Sequence, residues 1–293
     1  MRDAAPDLST FGLEAESTTA VAGGDSARAW RAQLADGTSV FVKQATRSTA
    51  GMLPLEAAGL AWLAEAGAVT PRVLAVDDTT LVLSWVERAK PSAEAATTIG
   101  AMLARMHRQV ASHFGSPPPT AGATTKGWVG TVEVPFGEFD AWPQFYVAAR
   151  LQPAARTAQH LGGLTTTMRN AIDDLCDALL TDPLAVAGPV IEPAVTHGDL
   201  WAGNVMWTLD GGVLVDPAAV GGHPETDLAM LQLFGAPQWA RIVAGYEAVR
   251  PLAPGWQSRV PLHQVFPLLV HAAMFGAGYG AQAASAARTA IGH

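Results

Sequence analysis

From its N-terminal end, the chain first shows apolar positions at the period of a strand. Arg28, Trp30, Ala32 and Leu34 alternate with Ala29, Arg31 and Gln33. Asp36-Gly37 signals a hairpin turn, and Val40-Phe41-Val42-Lys43 begins the return strand. Over about 54–66 the spacing becomes helical, with Leu55, Gly59, Leu60, Leu63 and Ala64 on one side. Gly67 closes that helix and Pro71 blocks its continuation. Two more strands, 73–76 and 81–86, flank an Asp77-Asp78 turn, and 87–91 reads as a linker. Beyond it the pattern is helical over about 93–112, 141–160, 164–180, 226–234, 236–249 and 262–286. The Gly- and Pro-rich stretch 115–137 is long and uneven and reads as a functional or mobile loop. The expected fold class is α+β and bilobal, with a small β-rich N-lobe over 1–88 and a larger helical C-lobe over 89–293.

Composition narrows the function classes. With 293 residues the chain can bury a substantial core, and its 15% charged residues fall below the usual ~25%. Asp3, Asp7 and Glu14 without an apolar segment argue against a secretory signal. The apolar run 265–287 is interrupted by Pro267, His271 and three glycines, so it reads as a buried helix and not a membrane span. The single cysteine, Cys176, excludes an intrachain disulfide and fits a cytoplasmic location. His107, His113, His223 and His271 lack metal-ligand spacing with it, so no structural zinc is expected. A net charge of −8 offers no basic patch for nucleic acid. Only three of eighteen basic residues are lysines: Lys43, Lys90 and Lys126. In a chain that otherwise uses arginine, each lysine invites a chemical reason.

The chemistry concentrates in His197-Gly198-Asp199-Leu200-Trp201-Ala202-Gly203-Asn204. Val205-Met206-Trp207-Thr208 follows, then a turn at Leu209-Asp210-Gly211-Gly212, then Val213-Leu214-Val215-Asp216. A hairpin of these two strands returns Asp216 to the end where Asn204 lies. An amide oxygen beside a carboxylate suits a hard cation such as Mg2+. Asp199, on the connecting loop, can face an acceptor hydroxyl. An Asp, an Asn five residues on, and a later metal-binding Asp form the arrangement of the protein-kinase catalytic loop, so the bilobal fold is expected to be protein-kinase-like. Such chemistry also needs a strand lysine held by a helix glutamate over the nucleotide phosphates. Lys43 and Glu56 supply the pair. No GxGxxG precedes Lys43; the Gly23-Gly24 turn is either a phosphate-facing loop or a plain turn.

These segments resemble the fructosamine (ketosamine) kinases, relatives of the aminoglycoside phosphotransferases and choline kinases. The resemblance spans nearly the whole chain and is carried by Gly23-Gly24-Asp25, Phe41-Val42-Lys43, Glu56-Ala57-Ala58-Gly59-Leu60, Met102-Leu103-Ala104-Arg105-Met106-His107, Phe114-Gly115, the 197–204 loop, Asp216-Pro217-Ala218 and Asp227-Leu228-Ala229-Met230. Trp201, with Asp216-Pro217-Ala218 and Leu233-Phe234-Gly235, points to the ketosamine branch. The resemblance implies ATP and Mg2+ as cofactors, Asp199 as catalytic base, and Asn204 and Asp216 as metal ligands. It further implies a sugar-amine substrate against Trp201, and a catalytic loop supported by His197 and by Asp227 from a helix. Two segments depart from the family pattern. Val129-Gly130-Thr131-Val132-Glu133-Val134-Pro135 replaces an Ile-Gly-Thr-Pro-Gln-x-Asn-like run, and Val220-Gly221-Gly222-His223-Pro224-Glu225 replaces Tyr-Gly-His-Arg-Glu. The departures leave two competitors: a kinase for an aminoglycoside or amino alcohol, and a catalytically silent nucleotide-binding protein. The silent reading predicts loss of the base, a metal ligand or the lysine, and all are present.

Overall fold

The computed structural model describes residues 5–21, 27–45 and 51–292. The chain opens with an antiparallel sheet of β1 (Ala15–Val21), β2 (Ala27–Leu34), β3 (Ser39–Ala45), β4 (Val73–Val76) and β5 (Thr80–Ser84), in the order β1-β2-β3-β5-β4. Helix α1 (Met52–Glu65) crosses between β3 and β4. Strand alternation sorts the side chains onto two faces. Val40 and Val42 pack with Trp30, Ala32, Leu34 and Val82, and Leu8 covers them. On the other face, Phe41 and Ala45 meet Leu81, Leu83 and the Leu53, Ala57 and Leu60 stripe of α1. Lys43 shares its strand face with Phe41 and Ala45, and so points toward α1. That placement follows from period two alone.

The remainder is mainly helical. Helix α2 (Ala93–Met106) precedes a hairpin of β6 (Lys126–Val129) and β7 (Val132–Pro135). Next come α3 (Trp142–Phe145), a π-helical turn (Tyr146–Leu151) and α4 (Gln152–His160), then α5 (Thr166–Thr181) and α6 (Pro183–Ala187). Strand β8 (Ala194–Thr196) leads to β9 (Val205–Thr208), β10 (Gly211–Leu214) and β11 (Val220–Gly222). Helices α7 (Pro224–Leu233), α8 (Trp239–Glu247), α9 (Trp256–Phe275) and α10 (Ala277–Ala290) complete the chain. One core gathers α3 to α5, α9 and α10 behind the β6–β7 hairpin; a second joins α2, α7 and α8 to the β9–β10 hairpin. Among the described residues no helix is long and apolar enough to cross a membrane.

Four expectations are corrected. Strand β1 was not anticipated, because it is an edge strand whose residues are almost all exposed and offer no apolar alternation. The stretch 115–137 is not simply a loop. It contains β6 and β7, turning at Gly130 (φ +57°), with Val132 and Val134 buried and Glu133 exposed between them. Helix α2 stops at Met106 rather than near 112. The last long helix begins at Trp256, six residues earlier than expected, and is interrupted at Gly276 (φ +98°), where α10 starts.

Helices α2 and α8 approach through glycines at both crossing points. A Cβ on Gly100 would lie 1.9 Å from the carbonyl oxygen of Ile242, and one on Gly245 would lie 2.2 Å from that of Thr97. Gly100→Ala should therefore force the helices apart and destabilise the fold by about 1–3 kcal/mol, an overpacking cost. Gly278 of α10 has open space around it, so Gly278→Ala should melt at or slightly above the wild-type temperature. Paired thermal melts check both.

Candidate active site

Hairpin pairing sets the site. Val205 pairs with Leu214, and the N–H of Val215 donates to the carbonyl of Asn204 at 3.1 Å, so Asn204 and Asp216 emerge at one end of β9–β10. Asp216 adopts φ +52°, a left-handed conformation costly for a side-chain-bearing residue, so the surrounding structure must hold it there. The Asn204 amide donates to the backbone carbonyl of Asp199 at 2.8 Å and to its carboxylate at 3.2 Å. Both bonds use Nδ2, which leaves Oδ1 as an acceptor. An amide oxygen and a carboxylate at one hairpin end are the donor types that a hard cation takes.

Lys43 reaches this end from β3. Its Nζ lies 2.7 Å from Glu56 Oε2 and 2.7 Å from Asp216 Oδ1. Burial opposes its charge, but the two carboxylates outweigh burial and raise its pKa. Burial lifts Glu56 to about 7 despite the ammonium, and its Oε1 is buried without a partner among the described residues. Asp216 is pushed up by burial and pulled down further by Lys43, for a net lowering. Asp199 is raised to about 7, first by burial and then by the nearby Asp216 charge, with the Asn204 hydrogen bond opposing. Two neighbouring carboxylates thus differ in proton affinity because only one pairs directly with the lysine.

Beneath the loop, Asp227 of α7 is fully buried and accepts three hydrogen bonds. They come from the backbone N–H of His197 (2.7 Å), that of Gly198 (3.0 Å) and the His107 ring (3.0 Å). Burial alone would raise the Asp227 pKa, but these bonds and the adjacent histidines lower it. Tyr246 continues the chain to His107 at 3.1 Å. His197 is buried, its Nε2 3.0 Å from the Val215 carbonyl and its Nδ1 accepting the Asp199 N–H at 3.3 Å; burial lowers its pKa, keeping the ring neutral. A Cβ on Gly198 would sit 2.2 Å from the Ala218 carbonyl oxygen, so only glycine (φ +78°) lets the loop lie this close to the strand after Asp216.

Lys43, Glu56, Asp199, Trp201, Asn204 and Asp216 all line one cleft of about 400 Å³. His197 and Asp227 lie behind it, and Gly23 and Gly24 fall outside the described residues. Trp201 is 42% exposed; its indole meets Phe234 edge-on at 6.3 Å and folds over Gly203. Several lining residues had no role in the sequence reading: Arg150, His271, Met274 and Tyr279. No role in supporting the loop is expected for His107 from its sequence position. Its contact with Asp227 spans 120 positions, and no local spacing announces it. A separate group, His223, Glu225 and His263, brings ligand atoms within 4.8 Å of one another. There Arg259 takes both Glu225 oxygens, at 2.6 and 2.9 Å, so the group is a neutralised ion pair and not a metal site.

A family model described as fructosamine kinase matches residues 6–292. The chain belongs to the fructosamine kinase family. A Thermus thermophilus protein named "Probable ketoamine kinase" is 34% identical over 275 residues, covering 93% of this chain and 94% of its own. A crystal structure named for a fructosamine-3-kinase of Thermobifida fusca superposes with a TM-score of 0.88 at 40% identity, over 96% of this chain and 95% of that one. A macrolide 2'-phosphotransferase type I shares the fold alone, with a TM-score of 0.61 at 17% identity over 95% of this chain and 93% of that one. The fructosamine kinase fold seen here is therefore the bilobal, kinase-like α+β fold, with the sheet in its smaller part.

Asp227→Ala should leave two backbone N–H groups and a histidine without their acceptor. The expected loss is about 3–5 kcal/mol, read from urea unfolding. Asp227→Asn, which keeps one acceptor oxygen, should lose less.

Proposed function

We propose that this member of the fructosamine kinase family transfers the γ-phosphoryl group of ATP to a sugar hydroxyl of a ketosamine. The observation that carries the proposal is the convergence of Lys43, Asp199, Asn204 and Asp216 on one cleft beside the exposed face of Trp201. Residues 1–88 serve as the nucleotide-binding lobe, and 89–293 supply the catalytic loop and the acceptor site. The single buried cysteine fits a cytoplasmic enzyme.

In this mechanism Lys43, steadied by Glu56, neutralises phosphate charge. Asn204 Oδ1 and the Asp216 carboxylate fit Mg2+, being hard oxygens of which one is anionic. Mg2+, when bound, supplies further charge neutralisation on the phosphate oxygens. Trp201 offers a flat apolar wall to the sugar ring. Asp199 accepts the proton of the acceptor hydroxyl as its oxygen bonds to the γ-phosphorus. The bond from that phosphorus to the β–γ bridging oxygen breaks, and ADP leaves. A carboxylate held near neutrality suits such a base, because its proton affinity is tuned toward the working pH. His197 and Asp227 act by positioning the loop that carries Asp199. An aminoglycoside or amino-alcohol acceptor is the second reading, favoured by the departure of the β6–β7 hairpin from the family pattern while the phosphate-handling residues are intact. A silent nucleotide-binding role has no missing residue in its favour.

An ADP-release screen with Mg–ATP and ketosamines, aminoglycosides and amino alcohols tests the proposal. ADP should form with ketosamines; release only with the other classes would transfer the enzyme to the second reading. Asp199→Asn should bind ATP yet not turn over. Asp216→Ala and Lys43→Ala should each lose at least ~100-fold in kcat with wild-type circular dichroism. Full activity in folded Asp216→Ala would overturn the metal-ligand role. Because Asp199 must be deprotonated and its pKa is raised to about 7, kcat/KM should fall about tenfold per pH unit below 7 and level off above it.

A further inference from the structure

Trp201 is the first ring of a longer aromatic strip. Its indole meets Phe234 at 6.3 Å, and Phe234 lies 4.7 Å from His271. The His271 ring is in turn 5.5 Å from Phe275 and 5.1 Å from Tyr279, which are themselves 6.1 Å apart. All five residues line the cleft that holds Asp199. They come from the catalytic loop, the residue after α7, the end of α9 and the start of α10. Phe275, at the far end of the strip, is 54% exposed. Contiguous aromatic surface left open inside a substrate cleft is ligand-binding surface, because nothing in the protein itself covers it.

No member of the strip is charged. His271 Nδ1 donates to the Pro267 carbonyl at 2.8 Å, and burial lowers its pKa against that bond, so the ring is neutral at pH 7. The carboxylates lining the cleft are Glu56, Asp199 and Asp216, which gather around Lys43 and the Asn204 amide. The β6–β7 hairpin adds Val129, Val134 and Phe136 to the lining. Its turn reaches α9, where a Cβ on Gly130 would lie 2.8 Å from Met274 Sδ. This is the segment that departs from the family pattern. Where that pattern has Gln and Asn, the chain has Glu133, which pairs with Lys126 at 2.7 Å on the exposed side, and Pro135, which has no side-chain donor. The two amides of the pattern are gone, and apolar groups line the cleft beside their positions.

We propose that the strip beyond Trp201 is the subsite for the group carried on the acceptor's amine, and that the enzyme favours ketosamines whose amine bears an apolar, above all an aromatic, substituent. This rests on the ketosamine reading above. One sugar ring beside Asp199 covers Trp201, but the rings that follow, spaced 4.7 to 6.3 Å apart, run further than a single sugar can cover. Whatever is bonded to the sugar's amine continues along Phe234 and His271 toward Phe275 and Tyr279. Recognition there is by apolar area and ring geometry. The carbon stem of a glycated lysine side chain can therefore lie on the strip, and an aromatic ring gains more.

Steady-state kinetics with fructosyl-benzylamine and fructosyl-methylamine test the proposal. The two acceptors share the sugar and the amine charge and differ by one phenyl ring. In the wild-type enzyme the benzyl compound should exceed the methyl compound about 10- to 100-fold in kcat/KM, the range for burying a side chain of that size. The gain should appear in KM, because an apolar contact made equally in the ground and transition states lowers KM without raising kcat. Phe275→Ala should cut the benzyl-to-methyl ratio at least ~3-fold, and Phe275→Leu, which keeps most of the apolar area, should cut it less. An equal or reversed preference in the wild-type enzyme overturns the subsite but leaves the ketosamine kinase standing. So does a preference that persists undiminished in folded Phe275→Ala. Turnover of neither acceptor overturns the ketosamine reading and this proposal with it. The wild-type comparison needs no variant, so a folding defect in Phe275→Ala cannot obscure the answer.

Discussion

The Lys43 ammonium, 2.7 Å from a carboxylate of α1 and 2.7 Å from one beyond β10, joins the two parts of the molecule at the point where its chemistry is set. Removing Lys43 strands the largely buried Glu56 carboxylate, which is the costly half of the bridge. The geometry has simple origins. Period two puts Lys43 on the α1 face of β3, and the Leu53, Ala57 and Leu60 stripe rotates Glu56 toward it. Gly59 lets α1 press onto the segment after Asp216, with a notional Cβ only 3.2 Å from Pro217. The 46% exposure of the Asp216 side chain leaves its carboxylate open to the cleft as well as to the lysine.

A second anchor works from below. Asp227 ties the backbone of His197 and Gly198 to α7, and through His107 and Tyr246 to α2 and α8. The loop bearing Asp199 is therefore fixed from the helical core while Lys43 fixes the facing side of the cleft. Between the anchors, Asp199 is left with one amide partner and a raised proton affinity. Arg150, by contrast, is held by neutral groups alone among the described residues. Glu56 and Asp216 share the Lys43 ammonium, whereas Asp199 is met only by the Asn204 amide among the described residues.

Much of this was legible before any coordinates. The β2–β3 hairpin, α1 and the β9–β10 hairpin each combine an unambiguous period with a Gly- or Asp-containing turn, and they carry Lys43, Glu56, Asn204 and Asp216. Other elements left weaker traces. Strand β1 is exposed along its length, so it has no buried alternation to read. Strands β6 and β7 are four residues each, too short to stand out in a Gly-rich stretch. The start of α9 is disguised by Gln257, Ser258 and Arg259 and by Pro261 inside the helix. Arg150 is one of several polar positions over 141–160, among them Gln144, Gln152 and Arg156, and its spacing does not single it out as buried. Its burial depends on β7 and α9, distant segments that pack around it, as the Asp227–His107 contact depends on the docking of α2 against α7.

Phosphorus NMR of the products formed from a ketosamine and Mg–ATP is the most direct measurement of the central claim. The account predicts a new phosphomonoester resonance, coupled to a proton of the sugar and equal in amount to the ADP released. Inorganic phosphate appearing in place of that resonance, or ATP left unchanged in the presence of every ketosamine, would contradict it.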